Sequence, residues 1–205
     1  MINLLKIKSG VMEPKEKLIE FIQQMHPMGS DKALAITQFF TEKQFKKNEL
    51  LIHSKKICNE YYFLTDGFVR SYLYNATGED ITTGFSAPGQ IVCELFSFFK
   101  RVPAQEDFQA LSSCVTLSID FNQLQIAFHG LPEFREFGRA ILVNEYARLK
   151  TNMLNSLQQT AETRYKHLLE TNPAIFQHAP LKNIASYLGV TDTSLSRIRK
   201  EFSKK

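Results

Sequence analysis

Leu181-Lys182-Asn183-Ile184-Ala185-Ser186-Tyr187-Leu188-Gly189-Val190-Thr191-Asp192-Thr193-Ser194-Leu195-Ser196-Arg197-Ile198-Arg199-Lys200 is the stretch that decides the reading of this chain. It has the spacing of a helix-turn-helix, a motif that brings its second helix to the edges of DNA bases. Ala185 falls where the two helices touch, and only a small side chain fits such a crossing. Gly189 follows four residues later, where the turn requires a residue tolerant of positive φ. Ile184, Leu188, Val190, Leu195 and Ile198 supply a shared apolar interior. Thr191 suits the N-cap of the second helix, and Pro180 the first turn of the first. The second helix then presents Asp192, Thr193, Ser196, Arg197, Arg199 and Lys200 outward. A plain two-helix hairpin would satisfy the apolar pattern but would leave that basic face unexplained.

The placement of charge supports the same end of the chain. The 205 residues carry a net charge of +4. From Ala161 to Lys205 there are eight Lys/Arg against four Asp/Glu, while the first 160 residues hold seventeen of each sign. The excess therefore sits where phosphate attraction would use it. A solvated basic tail accounts for Lys204 and Lys205 only. A hydrophobic fraction of 43% with 17 Phe is enough for a real core. Cys58, Cys93 and Cys114 are scattered, without a CxxC pair, as reduced thiols would be. No long apolar run or signal-peptide pattern occurs, so a soluble, cytoplasmic protein with no membrane partner is expected. Met1–Val11 carry no usable signal, and Met12 is an alternative start.

Upstream, Pro14–Met25 and Ser30–Phe40 read as two short helices separated by Pro27 and Gly29. From Gln44 to Ile119 the texture becomes short strands: Glu49–His53, Glu60–Thr65, Phe68–Tyr74, Ile81–Ser86, Asp107–Ala110 and Val115–Ile119. Turn signals at Asp66-Gly67, Asn75 to Gly78 and Pro88-Gly89 punctuate them, and many short strands so spaced indicate a barrel, roll or sandwich. Helix returns from Glu133 to Leu157 in two stripes. Phe134, Phe137 and Ile141 suit packing on the roll. Leu142, Tyr146, Leu149 and Met153 form a short heptad seam that a partner helix would satisfy. A further helix from Thr160 or Ala161 to Glu170 leads through Asn172-Pro173 into the terminal motif.

This order resembles the Crp/Fnr family of bacterial transcription regulators over nearly the whole chain from about residue 14. The supporting strings are Tyr62 to Arg70, Thr83-Gly84-Phe85 with Pro88-Gly89, and Ile184 to Lys200. The resemblance implies an α+β chain. Residues 1–131 would form a double-stranded β-helix (a β-roll or jelly roll) sensor domain, 132–158 a dimerisation helix and 159–205 a winged helix-turn-helix. It also implies a homodimer on a palindromic site in double-stranded DNA, with RNA polymerase as a further partner. Arg197 would then contact a guanine, with Asp192 and Thr193 on neighbouring base edges. Ser194, Ser196, Arg199 and Lys200 would hold phosphates, as would Thr191 while capping.

In that family the roll binds a cyclic nucleotide or derives from one that does. The phosphate cassette carries Gly-Glu-Leu and, further on, an Arg followed by Ser or Thr. The Glu meets the ribose hydroxyl and the Arg the cyclic phosphate. Here Val92, Cys93, Glu94 and Leu95 stand at the first string, with Cys93 replacing the glycine. Ala104 and Gln105 replace Arg and Ser, and Glu106 and Asp107 follow. Loss of that contact would cost roughly 1.5–3 kcal/mol, about one to two decades of affinity. Arg101, three residues short, is the one substitute within reach. The expectation is an effector pocket without a cyclic nucleotide, its ligand unknown, and no cofactor. A reactive Cys93 thiol, acidified by a helix start, is a subsidiary idea. A nucleotide-responsive regulator is the nearer alternative. The more distant ones are a cupin-like metal enzyme and a module docking on an acidic protein. For the enzyme, His26, His53, His129, His167 and His178 lie mostly outside the strands and never form His-x-His.

Overall fold

The computed structural model describes residues 12–202. Met1–Val11, Lys204 and Lys205 lie outside the described residues. Helix α1 (Pro14–Met25) starts at Glu13, whose carboxylate and that of Glu16 form a reciprocal cap. Helix α2 (Ser30–Thr37) ends earlier than the sequence suggests. Phe39 N–H and Phe40 N–H bond to the carbonyls of Ile36 and Thr37, three residues back, which tightens the chain out of the helix.

Eight antiparallel strands follow in two four-stranded sheets. They are β1 (Thr41–Phe45), β2 (Leu50–Ile52), β3 (Glu60–Asp66), β4 (Val69–Tyr74), β5 (Asp80–Ser86), β6 (Ile91–Val92), β7 (Asp107–Ala110) and β8 (Cys114–Asp120). One sheet runs β1-β8-β3-β6 and the other β2-β7-β4-β5. This is the expected roll, with every strand predicted from the sequence present within two residues. Two strands have no sequence signal. Strand β1 is polar and exposed along nearly its whole length, and β6 is only two residues long. Each forms because a neighbour supplies the ladder, β8 for β1 and β3 for β6.

The core lies between the sheets and under α1, where Leu18, Ile22, Phe63, Leu64, Phe98, Leu117 and Ile119 are almost fully buried. Phe21 stacks on Phe63 with ring centres 4.8 Å apart. Helix α3 (Leu95–Lys100) interrupts the strands, and α4 (Phe121–Gly130), capped by Asp120, follows β8. The long helix α5 (Pro132–Gln158) buries Phe134, Phe137 and Ile141 against the roll. Helices α6 (Ala161–Thr171), α7 (Ile175–His178), α8 (Leu181–Tyr187) and α9 (Asp192–Phe202) complete the described chain. Among the described residues no strand follows β8, so they form no wing beside the last helix pair, contrary to expectation. The chain between α6 and α8 is taken up by α7 and turns, which leaves no extended segment to pair. No helix among the described residues is long and apolar enough to cross a membrane.

Candidate nucleic-acid interface and effector pocket

Helices α8 and α9 build the sequence motif residue by residue. Ile184, Ala185, Leu188, Leu195 and Ile198 are buried together, with Val190 packed at the edge of the same cluster. Ala185 sits at the crossing, where its carbonyl accepts from Val190 N–H at 3.0 Å. Gly189 turns the chain with φ of +66°. Thr191 Oγ1 accepts from Ser194 N–H at 3.2 Å and so caps α9. Pro180 is the N-cap of α8 rather than part of its first turn. Arg164 of α6 donates to the Leu188 carbonyl at 2.6 Å, satisfying the end of α8. Thr191, Asp192, Thr193, Ser194, Ser196, Arg197, Arg199 and Lys200 are all exposed, on the turn and the outer face of α9.

The sequence carries no hint of where this helix pair rests. Its apolar cluster includes Phe68 and Leu111 from the roll, with Phe85 and Ala87 packed at the edge. Phe68 stacks on His178 with ring centres 4.2 Å apart, and Phe85 meets Tyr187 edge-on at 5.3 Å. Thr82 N–H donates to Ser186 Oγ at 2.9 Å. Beneath α8 the buried Arg70 guanidinium donates to Thr82 Oγ1 at 2.8 Å and pairs with Asp80 at 3.0 Å. The Asp80 carboxyl is held below its usual range, chiefly by the hydrogen bond from Arg70. The outer face of β4 and β5 thus fixes α8 to the roll.

The other site lies around α3. Val92 is buried on β6, Cys93 leaves the strand, and Glu94 caps α3 by accepting from Ser97 N–H at 2.9 Å. Leu95 opens the helix half-buried. Arg101 adopts the left-handed conformation at its C-cap, with φ of +57°. Its guanidinium donates to the carbonyls of Cys58 (3.0 Å) and Phe98 (3.2 Å) and to Asn59 Oδ1, and it covers the Phe121 ring at 4.4 Å. Ala104 is buried and bonded through both backbone groups to Lys55 and Lys56, while Gln105 is exposed. Glu106 faces Thr83 and Glu94. Burial above all, with the like charge of Glu94, raises its carboxyl above the ordinary range.

Residues 42–129 match the cyclic nucleotide-binding domain family. The anaerobic regulatory protein of Haemophilus influenzae is 24% identical over 182 residues, covering 80% of this chain and 67% of that protein. The regulatory protein HlyX of Actinobacillus pleuropneumoniae is likewise 24% identical, over 80% of this chain and 72% of its own. The chain is similar to these two regulatory proteins over four fifths of its length. Its fold is shared by FixK2 of Bradyrhizobium japonicum, with a TM-score of 0.68 at 20% identity over 80% of this chain and 85% of that one. The c-di-GMP-responsive regulator CLP of Xanthomonas campestris has the same TM-score at 15% identity, over 86% and 92%. The relatives from Haemophilus influenzae, Actinobacillus pleuropneumoniae and Xanthomonas campestris are named as regulators.

The phosphate cassette that the resemblance implies is altered here in its chemistry as well as its sequence. Buried Ala104 stands where the resemblance calls for the phosphate-binding Arg, and the charged group two residues on is the Glu106 carboxyl. Arg101 does not replace the missing arginine, which corrects the expectation placed on it. Its left-handed cap turns the side chain back over α3, and leaving would strip three acceptors and an aromatic face of their cation. The residues present therefore do not fit a cyclic nucleotide phosphate. The idea of an acidified Cys93 is also corrected, because burial pushes that thiol up. The thiol lowered from its usual range is Cys58, chiefly because the Cys93 thiol donates a hydrogen bond to it.

The predicted seam on α5 is laid bare. Tyr146 and Leu149 are each 68% exposed, and Leu142 and Met153 are exposed beside them. Val143, Leu154 and Leu157, which the heptad count omits, extend the same apolar surface.

Proposed function

We propose that this chain is a cytoplasmic, sequence-specific DNA-binding transcription regulator that works as a homodimer on a palindromic site. Residues 1–131 would sense, 132–158 dimerise and 159–205 bind DNA, with RNA polymerase as the further partner. The observation that carries this reading is the outer face of α9. It offers only polar and charged side chains, on a helix capped by Thr191 and held by its own buried core. Such a face gives hydrogen-bond donors and acceptors to base edges and phosphates while its apolar side stays covered. The α5 surface gives the second half of the argument, since two copies joined there carry two α9 helices to successive turns of one duplex. Selection from random duplex DNA tests it, and recovery of an inverted repeat with a fixed half-site spacing is expected. Binding that ignores sequence and spacing would refute it.

Arg197 is assigned the guanine contact, Asp192 and Thr193 adjoining base edges, and Ser194, Ser196, Arg199 and Lys200 phosphates. Arg197→Ala should weaken operator binding by roughly 1–3 kcal/mol and relax preference at one base pair per half-site. Lys200→Ala should instead weaken all sequences alike and flatten the salt dependence. Gel-shift titrations at several salt concentrations separate the two, and uniform loss in the Arg197 variant would reassign it to a phosphate.

The same proposal gives the roll no cyclic-nucleotide effector, because Ala104 and Gln105 stand where the family's phosphate cassette carries Arg and Ser. Millimolar cyclic AMP or cyclic GMP should leave the melting temperature unchanged. A native site filled at 100 times its dissociation constant would add about 2.7 kcal/mol, and an upward shift of several degrees would overturn this assignment.

A further inference from the structure

The seam on α5 does not begin at Leu142. Alternating steps of four and three join Leu142, Tyr146, Leu149 and Met153, and the same steps counted backwards reach Arg139 and then Arg135. Both arginines are exposed, in line with the apolar seam residues. Beside them the end of α4 lies close against α5. A Cβ on Gly138 would approach the Phe128 ring at 3.2 Å, and Phe128 meets Phe134 edge-on at 6.3 Å. Between the two helices is an open cavity of about 540 Å³, where apolar Phe128, Leu142 and Tyr146 stand with charged Arg135, Glu136 and Arg139.

The charges in this cavity do not cancel. Arg139 donates through Nε at 3.0 Å and Nη2 at 2.9 Å to the Glu136 carboxylate, so it has a counterion in its own chain. Arg135 has none at ion-pair distance among the described residues. It donates to the Phe128 carbonyl at 3.3 Å, while Glu133, which acts on it from further off, is engaged by Lys32. Each chain therefore brings one uncompensated cation to this end of the seam. In a two-fold pair of parallel helices, a seam residue faces its own copy across the axis. The parallel sense is the one in which Glu145, already bonded to Arg148, and the exposed Lys150 can pair reciprocally between copies on the flanks of the seam. From Leu142 onward the facing side chains are apolar and match. At Arg135 two guanidiniums face each other, and closing the seam draws both from water without a counterion.

We propose that this end of the seam is a dicarboxylate site that only the second copy completes. The site rests on the α5 homodimer proposed above. A guanidinium forks a carboxylate through two parallel hydrogen bonds. Two Arg135 side chains related by the axis call for two carboxylates related by the same axis. The apolar Phe128, Leu142 and Tyr146 on either side call for a hydrocarbon between them. A straight-chain dicarboxylate lying across the axis supplies both, and its two charges match the two unpaired cations. Inorganic phosphate supplies charge without a carbon body to cover the apolar lining. Such a ligand binds the pair better than the single chain, so its concentration sets the strength of the dimer.

Sedimentation equilibrium of the full chain at constant ionic strength tests the site. Straight-chain dicarboxylates from succinate to suberate, at millimolar concentration, are compared with acetate and with inorganic phosphate. At least one dicarboxylate should tighten the dimer about tenfold, as a ligand at about ten times its dissociation constant does. Calorimetry should count one dicarboxylate per two chains. Arg135→Gln, an exposed change that keeps the helix, should dimerise more tightly than the parent in acetate and respond to no dicarboxylate. Equal dimer affinity in dicarboxylate and acetate, an equal effect of phosphate, or an Arg135→Gln dimer still tightened by dicarboxylate would overturn the site and leave the homodimer standing. A chain that stays monomeric in every one of these solutions would overturn the homodimer as well.

Discussion

Gly67→Ala should lower the unfolding free energy by roughly 2–6 kcal/mol, a large share of the stability of an ordinary domain. Gly67 turns β3 into β4 with φ of +91°, where an L side chain is strained. Space is the larger difficulty. A Cβ there would lie 2.4 Å from the Ser113 carbonyl oxygen and 2.7 Å from Cys114 Sγ. The first of these is backbone and cannot swing aside. The surrounding bonds are tight as well, since Phe68 N–H donates to Ser112 Oγ at 3.1 Å and Leu111 N–H to the Phe68 carbonyl at 2.8 Å. Moving this corner also moves Phe68, which carries the His178 stack, so the strain reaches the helix pair. Gly78→Ala provides the control. Its φ is +83°, but a Cβ meets nothing within 4 Å, so only the conformational part of the cost remains. Urea unfolding of both variants checks this, and equal midpoints would remove the contact argument.

The comparison of Gly67 and Gly78 shows what a sequence can carry. Asp66-Gly67 and the Asn75-to-Gly78 run both read as turns, and both are turns. Nothing in either string says that one glycine faces the Ser113 carbonyl just before β8 while the other faces solvent. The helix-turn-helix was legible because its determinants are local. Ala185, Gly189 and Thr191 act on neighbours within a few residues, and the two stripes on α5 show as a helical repeat although what they pack against is distant. Contacts between distant segments left no trace. Thr82 and Ser186 are 104 residues apart, and the Arg70–Asp80 pair beneath them looks like ordinary strand polarity. Arg101 failed as a phosphate ligand for a related reason. Its side chain is directed by a left-handed cap and by Cys58, Asn59 and Phe121, none of which its own neighbourhood announces. The place of Val92 beside β3 needed the β3–β6 register, and a two-residue strand is too short to leave a pattern.

In the proposed homodimer, Leu149→Glu should weaken association by about 3–6 kcal/mol, two to four decades in dissociation constant, while leaving each chain folded. Leu149 is 68% exposed in the single chain and Tyr146 equally so, which means that neither supports the roll. The residues of α5 that do are Phe134, Phe137 and Ile141, two or more turns away. Covering a leucine is worth about 1.5–3 kcal/mol, and a two-fold interface counts every substitution twice. Glutamate keeps the helix, because its intrinsic preference is close to that of leucine. Its cost falls on the assembly, where two carboxylates would face each other across the axis. Sedimentation velocity should show monomer at micromolar concentration with an unchanged far-ultraviolet spectrum. Binding to the full inverted repeat should fall to the level of a single half-site and lose its dependence on half-site spacing, because linked half-sites gain affinity only while both recognition helices belong to one particle. A Leu149→Glu protein that stays dimeric would mean that the exposed surface of α5 is covered by something other than its own copy.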